Sequence, residues 1–177
     1  MNAIEQIKSV IRDVPNFPKE GIIFKDLTPI LLNPELCTSI RDLLVEQIKP
    51  LQPDALVAMD SRGFWFGLMV ANKLGIPMIP IRKAGKLPYK TVSTEYALEY
   101  GTAKVEMHED VIQQGWKVLI HDDLLATGGT AEAASRLITE QGASVCGYSF
   151  LVELDFLEGK QKLTSYSNEV HSLIHYK

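Results

Sequence analysis

Apolar positions recur along this chain in two alternating rhythms. Leu36, Ile40, Leu43, Leu44 and Ile48 fall at helical spacing and predict a helix with one face turned toward a sheet. Ala55 to Met59 is a near-continuous apolar run ending at Asp60, the pattern of a parallel strand buried on both faces. Residues 64–74 then predict a helix and residues 76–81 a strand. A further strand is predicted at 118–120. Ala131, Ala134, Leu137 and Ile138 give one apolar face to a helix beginning near Thr130. Residues 145–154 close the series as a last strand. This alternation predicts an α/β fold, a doubly wound and mostly parallel sheet flanked by helices. The first 33 or so residues and the stretch from about 84 to 105 fall outside it, and such departures are where a small N-terminal hood and a mobile lid would arise.

The densest chemistry lies in Lys117-Val118-Leu119-Ile120-His121-Asp122-Asp123-Leu124-Leu125-Ala126-Thr127-Gly128-Gly129-Thr130. An apolar strand runs into two adjacent carboxylates, then a loop of small and hydroxyl residues, then a helix. Strand ends that feed helix N-termini are where open α/β sheets bind phosphorylated ligands. Gly128 and Gly129 let the backbone approach an anion, and Thr127 and Thr130 add hydroxyl donors. Asp122 and Asp123 only accept hydrogen bonds when ionised, which suits the paired hydroxyls of a ribose. A Walker loop would need Gly-Lys-Ser/Thr and a dinucleotide fingerprint a third spaced glycine; neither is present. A plain strand-turn-helix connection with surface acids is the alternative.

This string resembles the phosphoribosyl-diphosphate motif of the type I phosphoribosyltransferases, and other segments narrow the resemblance to the adenine phosphoribosyltransferase family. Asn16-Phe17-Pro18 and Gly21-Ile22-Ile23-Phe24-Lys25-Asp26 resemble that family's base-binding segment, and Asp60-Ser61-Arg62-Gly63-Phe64 its diphosphate loop. Ile81-Arg82-Lys83, Gly85-Lys86-Leu87-Pro88 and Tyr96-Ala97-Leu98-Glu99-Tyr100-Gly101 resemble its mobile loop. The match runs in order from about residue 14 to 155.

Each segment also has a chemical reading of its own. Ser61, Arg62 and Gly63 sit where a strand gives way to a helix, so backbone N–H groups, the helix dipole and the guanidinium together suit a diphosphate; Ser61 is equally a good helix N-cap. The resemblance places a non-proline cis peptide at Asp60-Ser61. Arg82, Lys83, Lys86 and Lys90 form a cationic run in an acidic chain, and cations aimed at a leaving diphosphate ease its departure. The resemblance assigns Arg82 and Lys86 to the diphosphate, from this chain or from the neighbouring subunit of a homodimer; Lys83 and Lys90 read as surface charges. It further sets Glu99 beside N7 of a purine, as a general acid while N9 attacks the sugar, and Tyr100 beside the diphosphate. Composition alone reads residues 96–101 as an aromatic-rich strand or hairpin.

Base choice falls, by the same resemblance, to Ile23, Phe24, Lys25 and Leu124. Phe24 and Leu124 would sandwich a planar purine while the Ile23 backbone pairs with N1 and the exocyclic amine of adenine, a polar match that discriminates strongly. Two positions depart from the family pattern. Lys25 stands where many members carry Arg, which exchanges a bidentate group for a point charge. His121 stands where a small aliphatic residue is usual; it reads as a core histidine that is also placed to modulate Asp122.

Bulk properties add limits. The 177 residues suffice for one phosphoribosyltransferase domain with a substantial core. A net charge of −4, without an arginine-rich run, argues against nucleic-acid binding. Neither a membrane-length apolar stretch nor a signal peptide is legible, and Cys37 and Cys146 lack metal-ligand spacing, so a cytoplasmic protein with reduced thiols is expected. The implied reaction is the Mg²⁺-dependent transfer of phosphoribosyl from its diphosphate to adenine, giving AMP. Mg²⁺ is expected to be held mainly by the donor, with no direct protein ligand. Asp122 and Asp123 would bind the ribose hydroxyls and stabilise charge on the sugar, and Ala126, Thr127, Gly128, Gly129 and Thr130 would anchor the 5′-phosphate.

Overall fold

The computed structural model describes residues 3–97 and 101–177. Its core is a seven-stranded sheet in the order β5-β6-β4-β3-β7-β8-β9. The strands are β3 (Ala55–Met59), β4 (Met78–Lys83), β5 (Thr91–Ala97), β6 (Thr102–His108), β7 (Lys117–Leu125), β8 (Ser144–Leu154) and β9 (Val170–Tyr176). β4, β3, β7, β8 and β9 run parallel, while β5 and β6 form an antiparallel hairpin that extends the β4 edge. Before the sheet come α1 (Ala3–Val10) and a separate two-stranded ribbon, β1 (Arg12–Pro15) with β2 (Ile23–Asp26). The remaining α-helices among the described residues are α2 (Pro34–Ile48), α3 (Gly63–Leu74) and α4 (Gly129–Glu140).

The apolar patterning is used as expected. Leu36, Ile40, Leu44 and Ile48 bury one face of α2, and Leu43 packs at its margin. Every residue of β3 is buried, and successive side chains feed opposite faces of the sheet. Ala55, Val57 and Met59 join the apolar cluster under α4, whereas Leu56 and Ala58 join the one under α2 and α3. α4 buries Ala131, Ala134, Leu137 and Ile138.

Three differences from the sequence reading have local causes. β7 does not stop at Ile120 but runs through both acids to Leu125, because its parallel partner β8 continues pairing as far as Leu125↔Glu153. The series does not close at Leu154. β9 pairs with β8 in parallel, and its residues 170–176 hide the pattern because an edge strand needs only Leu173 and Ile174 buried. Much of the 84–105 stretch is regular, with β5 and β6 in unbroken register from Thr91↔His108 to Ala97↔Thr102. Cys37 and Cys146 are free thiols, and Cys146 is only partly buried in β8.

Candidate active site

Two strand-to-helix turns meet at the carboxyl edge of the parallel strands. At the first, β3 ends at Met59, Asp60 and Ser61 are joined by a cis peptide, and α3 begins at Gly63. The capping position is Arg62, and no side chain caps this helix. Ser61 is therefore not an N-cap; it is exposed at the turn. Gly63 is required here by close approach: a Cβ would come within 2.9 Å of Asp122 Oδ1 and 3.1 Å of the His121 carbonyl oxygen. The first turn thus rests directly on β7.

At the second turn, β7 passes through Asp122, Asp123, Leu124 and Leu125 into Ala126 and Thr127. Gly128 follows with φ of +79°, and α4 begins. Gly128 caps the helix without any side-chain bond, so the first N–H groups of α4 remain open to a ligand. Asp122, Leu124 and residues 125–131 line a cavity over this turn. The loop is braced from behind by a residue that carries no motif. Gly159 is buried against it so tightly that its Cβ would strike the Ala126 carbonyl oxygen, and a Cβ on Gly128 would strike the Gly159 carbonyl oxygen. The signal available in sequence was one glycine in a charged segment, and its meaning depends on contact with a loop far upstream.

The acidic pair joins the two turns. Asp123 is buried, and its Oδ2 lies 2.9 Å from Arg62 Nε without the alignment of a hydrogen bond, so that oxygen keeps its acceptor capacity. Asp122 Oδ1 accepts from the Asp123 N–H at 2.8 Å. Burial, and then the neighbouring charge of Asp123, push the Asp122 carboxyl well above its ordinary pKa. Burial also raises Asp123, although the Arg62 guanidinium opposes that shift. His121, by contrast, takes no part. It is fully buried, its Nδ1 meets Ser149 Oγ at 3.2 Å, its Nε2 has no partner, and burial pushes its pKa down to about 4. It stays neutral near pH 7, so it does not modulate Asp122 there.

The basic residues gather on Asp60. Arg82, at the end of β4, donates from Nε to Asp60 Oδ2 at 3.3 Å, and Lys86 Nζ lies 4.0 Å from the same oxygen. Met59, Asp60, Ile81, Arg82, Asp122 and Thr130 share one cavity. Glu99 and Tyr100 lie outside the described residues.

In the ribbon, β2 has β1 on one side only, so its other edge offers backbone groups to a ligand, and Ile23 is exposed there. The Phe24 ring has Phe17 edge-on at 5.1 Å, and the Arg62 guanidinium lies 5.1 Å from its centre. Leu124 lines the cavity over the second turn and packs against the core below. The Lys25 ammonium is already engaged: it lies 2.6 Å from Asp13 Oδ1 and 4.0 Å above the centre of the Tyr176 ring. Any base contact at this position therefore falls to its backbone.

Comparison with known proteins agrees with this geometry. Residues 27–165 match the phosphoribosyl transferase domain family. The adenine phosphoribosyltransferase of Cytophaga hutchinsonii is 61% identical over 172 residues, covering 97% of this chain and 95% of its own. The fold is similar to the crystal structure of adenine phosphoribosyltransferase from Thermoanaerobacter pseudethanolicus, with a TM-score of 0.94, 44% identity, and coverage of 98% and 99% of the two chains. It is also similar to the Saccharomyces cerevisiae enzyme complexed with D-2,5-dideoxy-2,5-imino-altritol 1,6-bisphosphate and adenine, with a TM-score of 0.89, 39% identity, and coverage of 97% and 98%. This chain belongs to the adenine phosphoribosyltransferase family of the type I phosphoribosyltransferases.

Proposed function

We propose that the residues gathered at the two turns carry out the family's reaction: transfer of phosphoribosyl from 5-phospho-α-D-ribose 1-diphosphate to adenine, giving AMP and diphosphate. The observation that carries the assignment is the meeting of Arg62 with Asp123. It joins a diphosphate turn and a ribose acid from different strands at 2.9 Å. Ala126, Thr127, Gly128, Gly129 and Thr130 bind the 5′-phosphate through the open N–H groups of α4 and the threonine hydroxyls. Asp122 and Asp123 accept the ribose hydroxyls and stabilise positive charge on the sugar. Ser61, Arg62, Gly63, Arg82 and Lys86 take the diphosphate, which leaves with the electron pair of the C1–O bond as N9 of adenine bonds C1. Anchoring the donor at both ends lets binding energy serve this step.

Adenine is read by the free edge of β2 at Ile23, with Phe24 and Leu124 as apolar walls. Glu99 exchanges a proton with N7 and Tyr100 touches the diphosphate. Residues 1–33 act as the hood and 84–105 as the moving loop of a single domain. Mg²⁺ bound with the donor would be held mainly by the donor's own diphosphate and ribose hydroxyls, and would supply positive charge beside the leaving diphosphate. Asp122 and Asp123 suit such an arrangement as hydroxyl acceptors. Among the described residues the one group close enough to share an ion, Glu153, Asp155 and His175, includes an imidazole and is tied by a 2.9 Å His175–Asp155 contact, a poor match for an oxygen-seeking ion. The free thiols support a cytoplasmic location, and the homodimer follows from family membership alone.

The test is incubation with phosphoribosyl diphosphate and Mg²⁺, offering adenine, hypoxanthine, guanine and xanthine separately. AMP alone is the expected product. A nucleotide from a 6-oxo base would overturn the roles of Ile23 and Phe24, and no nucleotide despite donor binding would overturn the catalytic reading.

A further inference from the structure

Glu106 is a buried carboxylate to which neither the sequence motifs nor the reaction assigns a role. It stands on β6 opposite Arg82 of β4, only 6% exposed. Burying an acid is costly unless its oxygens are bonded, and here they are. Oε1 accepts from the backbone N–H groups of Lys86 and Leu87, each at 3.0 Å, and Oε2 lies 3.5 Å from Thr91 Oγ1. Burial opposes the charge, but the N–H groups of Leu87, Gly85 and Lys86 outweigh it and hold the carboxyl below its usual pKa. Successive amides converging on one anion form a nest, and in this nest the anion belongs to the protein itself.

The turn that Glu106 holds is the one that carries Lys86. Gly85 makes it possible with φ of +83°, and Arg82 Nη1 donates to the Lys86 carbonyl at 3.2 Å. Lys86 is thus fixed through its N–H by Glu106 and through its carbonyl by Arg82, while its ammonium lies 4.0 Å from Asp60. A loose basic loop would have to be ordered at the moment of binding, which lowers affinity. A carboxylate suits the task because it accepts several bonds at once, each strengthened by its charge.

We propose that Glu106 is a positioning residue for donor binding: it ties the Gly85–Leu87 turn so that Lys86 and Arg82 stand over the β3–α3 turn before the diphosphate arrives. This rests on the reading of Arg82 and Lys86 as diphosphate ligands.

A double-mutant cycle on the full chain tests it, using Glu106→Gln, Lys86→Ala and the pair, with KM measured separately for phosphoribosyl diphosphate and adenine. Glu106→Gln is expected to raise the donor KM by about fivefold or more while the adenine KM stays within about twofold. The losses in the double variant should combine to less than their product, because Glu106 acts in part through Lys86. The proposal is overturned if Lys86→Ala impairs donor binding while Glu106→Gln does not, if the two losses multiply, or if both KM values rise together. A Lys86→Ala variant with normal donor KM would instead overturn the diphosphate reading itself, and this proposal with it. Should Glu106→Gln fail to fold, Glu106→Asp keeps the charge one methylene short of the turn and carries the same expectation.

Discussion

The β3–α3 and β7–α4 turns have the same architecture and hold charge by opposite means. Both end a buried parallel strand, and both open a helix without a side-chain cap. The first is crowded with ions: Arg62 on Asp123, and Arg82 and Lys86 on Asp60. The second is bare backbone, shaped by Gly128 and pressed from behind by Gly159. On the roles proposed above, the difference suits the two ends of the donor. Fixed amides suit a 5′-phosphate that stays bound, and side chains already paired with Asp60 and Asp123 suit a diphosphate that must leave.

The largest test breaks the bare turn. Gly128→Ala adds a Cβ at a left-handed position and against the Gly159 carbonyl, which should cost on the order of 3 kcal/mol of stability. Displacing the phosphate loop should also lower kcat/KM on the order of 100-fold. Thermal unfolding with steady-state kinetics measures both, and a variant with normal kcat/KM would remove the loop from donor binding.

Next comes the acid that links the turns. Asp123→Asn should keep the fold and lower kcat/KM about 10- to 100-fold, the worth of a charge-assisted hydrogen bond. The empty protein should lose some of its pH dependence as well. A carboxyl raised by burial stabilises the fold below its ordinary pKa, and that contribution is lost as pH rises through the raised value. Urea unfolding followed from acid to neutral pH reads this out, and an unchanged slope would show that Asp123 ionises as an ordinary surface acid does.

A smaller effect sharpens the contrast. Arg62→Lys keeps the charge but loses the planar group that faces both Phe24 and Asp123, and should lower kcat/KM about tenfold. The reverse exchange, Lys83→Arg, at a residue read as a surface charge, should change little.

The smallest concerns His121, beneath α3. Its unfolded form takes up a proton first, so stability present above about pH 6.5 is lost as pH falls toward about 4. His121→Val should flatten that loss without altering activity at neutral pH. A variant whose stability falls over that range as steeply as the parent's would rule out His121 as its source.

Much of this was legible because it is local. The apolar run at β3, the helical spacing of α2 and the acid-glycine string at β7–α4 each depend on a few neighbouring residues, and each formed near its expected place. β9 was illegible because an edge strand with two buried residues has almost no period. The surroundings of Lys25 were illegible for another reason: its side chain meets Asp13 and Tyr176, the second from the far end of the chain, and no local pattern announces such a contact.

By itself, then, the sequence determined the α/β class, the two strand-to-helix turns and the residue types suited to a phosphorylated sugar, since these follow from periodicity and short-range backbone chemistry. Tertiary structure alone decided that Gly159 braces the phosphate loop, that Glu106 holds the basic turn, that Arg62 meets Asp123 and that His121 stays neutral. Each of those depends on which distant groups share a buried space, where an added methyl group or an unpaired charge costs far more than it does in water.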